Sequence, residues 1–168
     1  ELLSIDCFSD IMHAFQRENP LITYNMFSGI VDTVKERIEN GLLDFGILIE
    51  PVDISKYEFV QLPQKERWGV LVRNDSPLAK LEKVTPSDLI GTPLIMPGSE
   101  EHHKAWLTWF GDDNDNINII SSYSLLYNAA VMVQKGMGAV ICIELNANYD
   151  NLVFIPVEPK RESGSVFV

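Results

Sequence analysis

Long hydrophobic runs, basic patches, cysteines and catalytic signatures are all scarce in this chain, and each shortage removes a class of function. No apolar run approaches the roughly 18 residues of a membrane span, and no charged-then-apolar leader precedes a cleavage site. Basic residues number 13 against 24 acidic ones, for a net charge of −11. They are scattered rather than gathered on one face, so the chain repels phosphate backbones and is not expected to bind nucleic acid by itself. There are two cysteines, Cys7 and Cys142. Nothing marks either as a low-pKa exposed thiol, so both are expected to be buried and reduced, and a reducing, cytoplasmic setting follows. No internal repeat or low-complexity tract is visible.

The catalytic signatures are missing too. There is no GxxxxGK[ST] phosphate loop, no GxGxxG at a strand-to-helix turn, no GxSxG and no paired metal spacing. Gly136-Met137-Gly138 follows a helical pattern rather than preceding one, so it reads as a helix stop and strand entry. Adjacent residues on a helix point about 100° apart, so His102-His103 is not expected to chelate one ion; a solvated helix face is expected there. Asp112 to Asn116 lacks the Gly and Glu of a calcium loop and is expected to be a solvated loop. Trp106, Trp109 and Phe110, at helical spacing, are expected in the core. The chain is therefore not expected to be an enzyme, and no metal or cofactor is implied.

What is present is alternation. The stretch Asn19 to Glu50 reads as a complete βαβ unit. Ile22 to Phe27 is an apolar strand and Gly29 the turn. Val31, Val34 and Ile38 stand at helical spacing, Gly41 ends the helix, and Phe45 to Ile49 is a continuous apolar run of the kind parallel strands show. Before it, Phe8, Ile11, Met12 and Phe15 mark an amphipathic helix. After it come apolar segments at Phe59 to Leu62 and Trp68 to Val72, separated by the charged group Gln64 to Arg67, a candidate crossover. Thr85-Pro86-Ser87-Asp88 carries helix-start chemistry. The alternation continues with strand Leu94 to Met96, helix Ser99 to Phe110, strand Ile117 to Ile120, and a helix opening at Ser122 or Ser124 with Leu126, Ala129, Ala130 and Val133 on one stripe. Strands Ala139 to Ile143, Leu152 to Val157 and Val166 to Val168 close the chain. Its abrupt start inside a helical pattern and its stop in mid-strand read as an excised fragment.

In open α/β sheets ligands gather beyond the carboxyl ends of the strands. Three turns each follow a strand and open a helix: Ser28, Gly29, Ile30 and Val31; Pro97, Gly98 and Ser99; and Ser122, Tyr123 and Ser124. Helix N-termini present unpaired N–H groups and partial positive charge, which suits a carboxylate or other small anion. Either these serines merely cap helices or they also line a shared cleft. Helix termini favour an anion, while Ile30, Val31, Met96 and Pro97 suit an aromatic or branched aliphatic body.

Taken in order, Asn40-Gly41-Leu42-Leu43-Asp44-Phe45-Gly46-Ile47, Trp68-Gly69-Val70-Leu71-Val72 with Ser76-Pro77-Leu78-Ala79, Asp88-Leu89 before Pro93-Leu94-Ile95, and Val133 to Ala139 resemble the effector-binding (substrate-binding) domain of LysR-type transcriptional regulators over nearly the whole chain. The resemblance implies an α/β, two-lobed fold like type II periplasmic binding proteins, with mixed, mostly parallel sheets, helices on both faces and a cleft between lobes. Residues 1–66 would form the first part of lobe I, 67–152 lobe II, and 153–168 a return to lobe I. It also implies a small-molecule effector bound by the three turns, and DNA bound only through a helix-turn-helix domain absent from this chain. Sensor domains of the family pair as homo-oligomers, with a tetramer open to the full-length protein. Here the helix around Ser9, Met12, His13 and Gln16, with Thr23 to Met26, would pack on Tyr127 to Lys135 of a second copy. No membrane partner is implied. Two positions depart from the family pattern. Val31 stands where a hydroxyl residue is common, and Cys142-Ile143-Glu144 where the strand often ends in Pro. A solute-binding protein of a transport system with the same fold is the alternative reading.

Overall fold

The computed structural model describes residues 2–168. Four α-helices, α1 (Ser4–Glu18), α2 (Val31–Glu39), α3 (Glu100–Phe110) and α4 (Leu126–Gln134), pack around seven strands. The strands are β1 (Ile47–Ile49), β2 (Val60–Arg73), β3 (Pro93–Pro97), β4 (Asn118–Tyr123), β5 (Ala139–Ile143), β6 (Leu152–Pro156) and β7 (Glu162–Phe167). Their order is β1-β7-β2-β5-β3-β4, with β6 also on β2. Among these strands, parallel pairing is made by β3 with β4 and β5, and an isolated parallel bridge joins Val84 to Val157; β1–β7 and every pair made by β2 are antiparallel.

The long strand β2 belongs to two sheets. From Val60 to Arg67 it pairs with β7, and from Trp68 to Arg73 with β5 and β6. The charged group Gln64 to Arg67 is thus the middle of a continuous strand. A second crossing runs through 157–161, between β6 and β7. In the second sheet, side chains alternate across the two faces with the pleat. Val70, Val72, Leu94, Met96 and Ile141 join Trp106 and Phe110 of α3 in one core. Leu71, Ile95, Val140 and Cys142 point the other way, onto Leu126, Ala129, Ala130 and Val133 of α4. Each large side chain so buried contributes about 1.5–3 kcal/mol relative to exposure.

Several expectations are corrected. Ile22 to Phe27 forms no strand; it has no regular secondary structure, Tyr24, Met26 and Phe27 are exposed, and no described strand pairs with it. A strand requires a neighbour as well as a pattern, and its apolar composition cannot supply one. The helix after β4 opens at Leu126, with Leu125 as its N-cap. Ser122 and Tyr123 remain in β4 because they pair with Met96 and Pro97. Thr85 to Leu89 forms only a 3₁₀ turn, closed by a capping box between Thr85 and Asp88. The acidic segment Gly111–Asn116 also winds as 3₁₀, with Ser87 donating to Asp113. Cys142 is buried, whereas Cys7 is only half-buried. His102 is also buried rather than solvated, for reasons that belong to the site.

Candidate functional site

β3 and β4 run parallel and end side by side at Pro97 and Tyr123. Their carboxyl ends therefore open into the same space, as parallel strands require. The Gly98 N–H donates to the Tyr123 carbonyl at 2.9 Å. A Cβ added at Gly98 would stand 2.9 Å from that same oxygen and 3.6 Å from Cγ2 of Ile30. Glycine is needed here for close approach, and Ile30 and Gly98 confront one another across the opening.

The opening is a cavity of about 730 Å³. Ser28, Gly29, Ile30 and Val31 line one side, and Pro97, Gly98, Ser99, Tyr123 and Ser124 the other. Nine of the ten residues expected at the site thus share one cavity. Ser122, held inside β4, is not among its lining residues.

The serines play different parts. Ser99 is the N-cap of α3: its hydroxyl accepts from the His102 N–H at 3.5 Å and donates to Glu101 at 3.2 Å. Ser28 caps nothing. The N-cap of α2 is Ile30, which offers no side-chain oxygen, so no side chain caps the first turn of α2. Tyr123 sends its hydroxyl inward to the Ile141 carbonyl at 3.0 Å. Val31 is buried and helps fill the core.

Sequence reasoning missed three parts of this wall. His102 lines the cavity and is only 3% exposed. Its ring lies 5.5 Å from that of Trp68, and its Nε2 is 3.4 Å from the Glu50 carbonyl. Burial holds the imidazole below its ordinary pKa, partly countered by that carbonyl. Trp68 itself is anchored by donating from Nε1 to Ser163 at 2.9 Å. The third part is the aromatic floor. Phe167 stacks on Phe45 at 5.3 Å and meets Phe8 at 5.1 Å in a tilted contact, and all three line the cavity. The only available signal was the alternation in Trp68-Gly69-Val70, which places Trp68 on the face shared with α3.

A family model described as the LysR substrate binding domain matches residues 2–167. The chain belongs to that family. It is 24% identical over 136 residues to an uncharacterized HTH-type transcriptional regulator, YvbU of Bacillus subtilis (strain 168), covering 81% of this chain and 45% of that protein. It is 22% identical over 160 residues to the Hca operon transcriptional activator HcaR of Escherichia coli (strain K12), covering 91% and 53%. The chain thus spans about half the length of the curated relatives it matches. Among solved structures, the effector-binding domain of QuiR in complex with shikimate superposes with a TM-score of 0.78 at 18% identity, covering 95% of this chain and 78% of that one. The fold is the two-lobed, type II periplasmic-binding-protein-like α/β fold of LysR substrate-binding domains. Among the described residues, no helix is long and apolar enough to cross a membrane.

Proposed function

We propose that this chain is the effector-sensing domain of a bacterial LysR-type transcription regulator, and that the cavity between Ile30 and Gly98 is where it holds its small-molecule effector. The observation that carries this reading is the convergence of the two strand-end turns on one cavity in a chain of this family. The chain is read as a sensor rather than an enzyme, because the relatives it matches include transcriptional regulators. The similar QuiR domain was solved with shikimate, which supports a small carboxylate or related metabolite as the ligand class.

Lobe I would end near Glu66, where β2 exchanges β7 for β5 as its partner, and resume through 157–161, after β6 has paired with the second half of β2. An effector that binds one lobe arrangement more tightly than another shifts the population between them, and a DNA-binding domain outside this chain would read that shift. The setting is cytoplasmic and the regulator a homo-oligomer. With a net charge of −11, DNA contact falls to the separate domain.

Calorimetry against a panel of small carboxylates tests the reading. One or more should bind, and replacing Gly98 with Phe, whose side chain would fill the opening, should abolish that binding. Saturable binding indifferent to Gly98→Phe places the ligand elsewhere and defeats the proposal.

A further inference from the structure

The charges around the cavity limit what it can hold. Its described lining contains no lysine and no arginine, although the chain has 13 such residues. The single charged side chain that lines it is an acid, Asp6. His102, the one titratable base there, is held neutral near pH 7 by burial. Three arginines of neighbouring elements are engaged, Arg37 with a ring of the lining itself. Arg37 lies over the Phe27 ring at 4.0 Å, Arg67 forks onto Glu144 with two bonds of 2.7 Å, and Arg161 lies over Trp106.

Against this stands a wall rich in aromatic rings: Phe8, Phe27, Phe45, Trp68, Tyr123 and Phe167. The remaining polar side chains are neutral hydroxyls and amides, Asn25 and Asn146 among them. The first turn of α2 carries no side-chain cap, and the Ser28 and Ser124 hydroxyls lie on the same lining. Together these can satisfy one small anionic group. A second negative charge would be stripped of water among rings, with Asp6 the one charged side chain on the described lining. Burying an unpaired ionised group is far more costly than apolar contact can offset.

We infer that the effector of this chain is a largely apolar, ring-bearing molecule carrying at most one negative charge, and that phosphorylated or dicarboxylate compounds are excluded. The inference rests on the cavity being the effector site. It names the charge class of that site's ligand, which family membership leaves open.

The test is calorimetric titration of the whole chain at a pH of about 7.5 and about 50 mM salt, where exposed charge pairs are only partly screened. The probes are benzyl alcohol, benzoate, phthalate and phenyl phosphate, each with its cyclohexane counterpart, at up to about 10 mM, which reaches the weak end of measurable affinity. The expected result is that the neutral or singly negative probes bind at least about tenfold more tightly than phthalate or phenyl phosphate. Binding should disappear in Gly98→Phe, and also in Ile30→Trp, which obstructs the opening from the opposite side; circular dichroism melting checks that each variant folds. Ser28→Arg should narrow the gap by admitting the doubly charged probes. Phthalate or phenyl phosphate binding as tightly as benzoate, with both obstructing variants abolishing it, would overturn the charge inference and leave the cavity as the site. Binding that survives obstruction, or no binding by any probe, would overturn the site itself and the inference with it.

Discussion

The Glu66 carboxylate is wholly buried and accepts from Ser4 twice, from its N–H at 3.0 Å and from its hydroxyl at 2.5 Å. Its other oxygen accepts from the Leu3 N–H at 3.0 Å, and the Ser165 hydroxyl lies 3.4 Å from the first. A side chain in the middle of β2 therefore closes the N-terminus of α1, where orphan N–H groups and the helix dipole both favour a negative charge. Glu66→Ala should leave two N–H groups and two hydroxyls without this acceptor, at a cost of about 2–4 kcal/mol. Glu66→Gln keeps one acceptor oxygen and should lose about half as much. Urea unfolding of the two variants measures both. Equal midpoints for wild type and Glu66→Ala would show that α1 does not depend on this contact.

His102 gives a pH dependence whose sign follows from its burial. Its folded-state pKa is lowered, so the unfolded chain binds the proton more readily, and the stability it contributes is complete above the unfolded value of about 6.5. That stability is lost as pH falls from there through the folded-state value. Melting temperature should therefore drop on acidification below about pH 6.5, and His102→Gln should flatten that part of the profile. An unchanged slope in the variant would assign the acid sensitivity to carboxylates instead.

Gly138 has φ +123°, and a Cβ there would stand 2.1 Å from the Pro93 carbonyl. β3 and β5 are parallel neighbours starting at that point. Gly138→Ala combines backbone strain with a clash against main chain that cannot rotate away, so a loss of about 2–4 kcal/mol is expected. The denaturation midpoint reads it. Gly91→Ala, also at positive φ but with open space around it, should cost less and separates strain from collision.

The exposed apolar face of α1 bears on association. Ile11 and Phe15 are half exposed, Met26 lies bare on the irregular segment, and Tyr127 on α4 is similarly uncovered. A two-fold pair that lays α1 and 23–26 on α4 of a second copy would use each patch twice. Sedimentation at high micromolar concentration should show a dimer, and Met12→Glu should raise its dissociation constant by roughly tenfold or more, since a charge would enter an apolar contact. A dimer indifferent to Met12→Glu would place the contact elsewhere.

Legibility varied with how local each cause was. Ala139 to Ile143 was readable to the residue because a strand covered on both faces is apolar at every position. The stripe Leu126, Ala129, Ala130 and Val133 is buried as the helical period requires. Ser99 and Gly98 could be placed because cap and turn chemistry reside in neighbouring residues. Ile22 to Phe27 misled because pairing depends on another segment. Ser122 misled for the converse reason: a distant strand claimed it. His102 and Glu66 are polar residues whose burial is explained only by Trp68, Glu50, Ser4 and Ser165, all remote in sequence. No periodicity encodes such meetings.

Because β2 serves both sheets, its two halves share one phase. Trp68, Val70 and Val72 face α3 only while the strand keeps its count from Arg67, where its hold on β7 ends. Inserting one residue just after Trp68 would turn Val70 and Val72 toward α4 and Leu71 toward α3, inverting the second sheet against the first. The irregularity between Gln61 and Lys65, where Gln61 pairs with Val166 and Lys65 with Gly164, is the place along β2 where two extra residues are already accommodated against β7. Length variation in this strand should therefore be tolerated there and rejected beyond it, making 61–65 the slack in an otherwise geared connection.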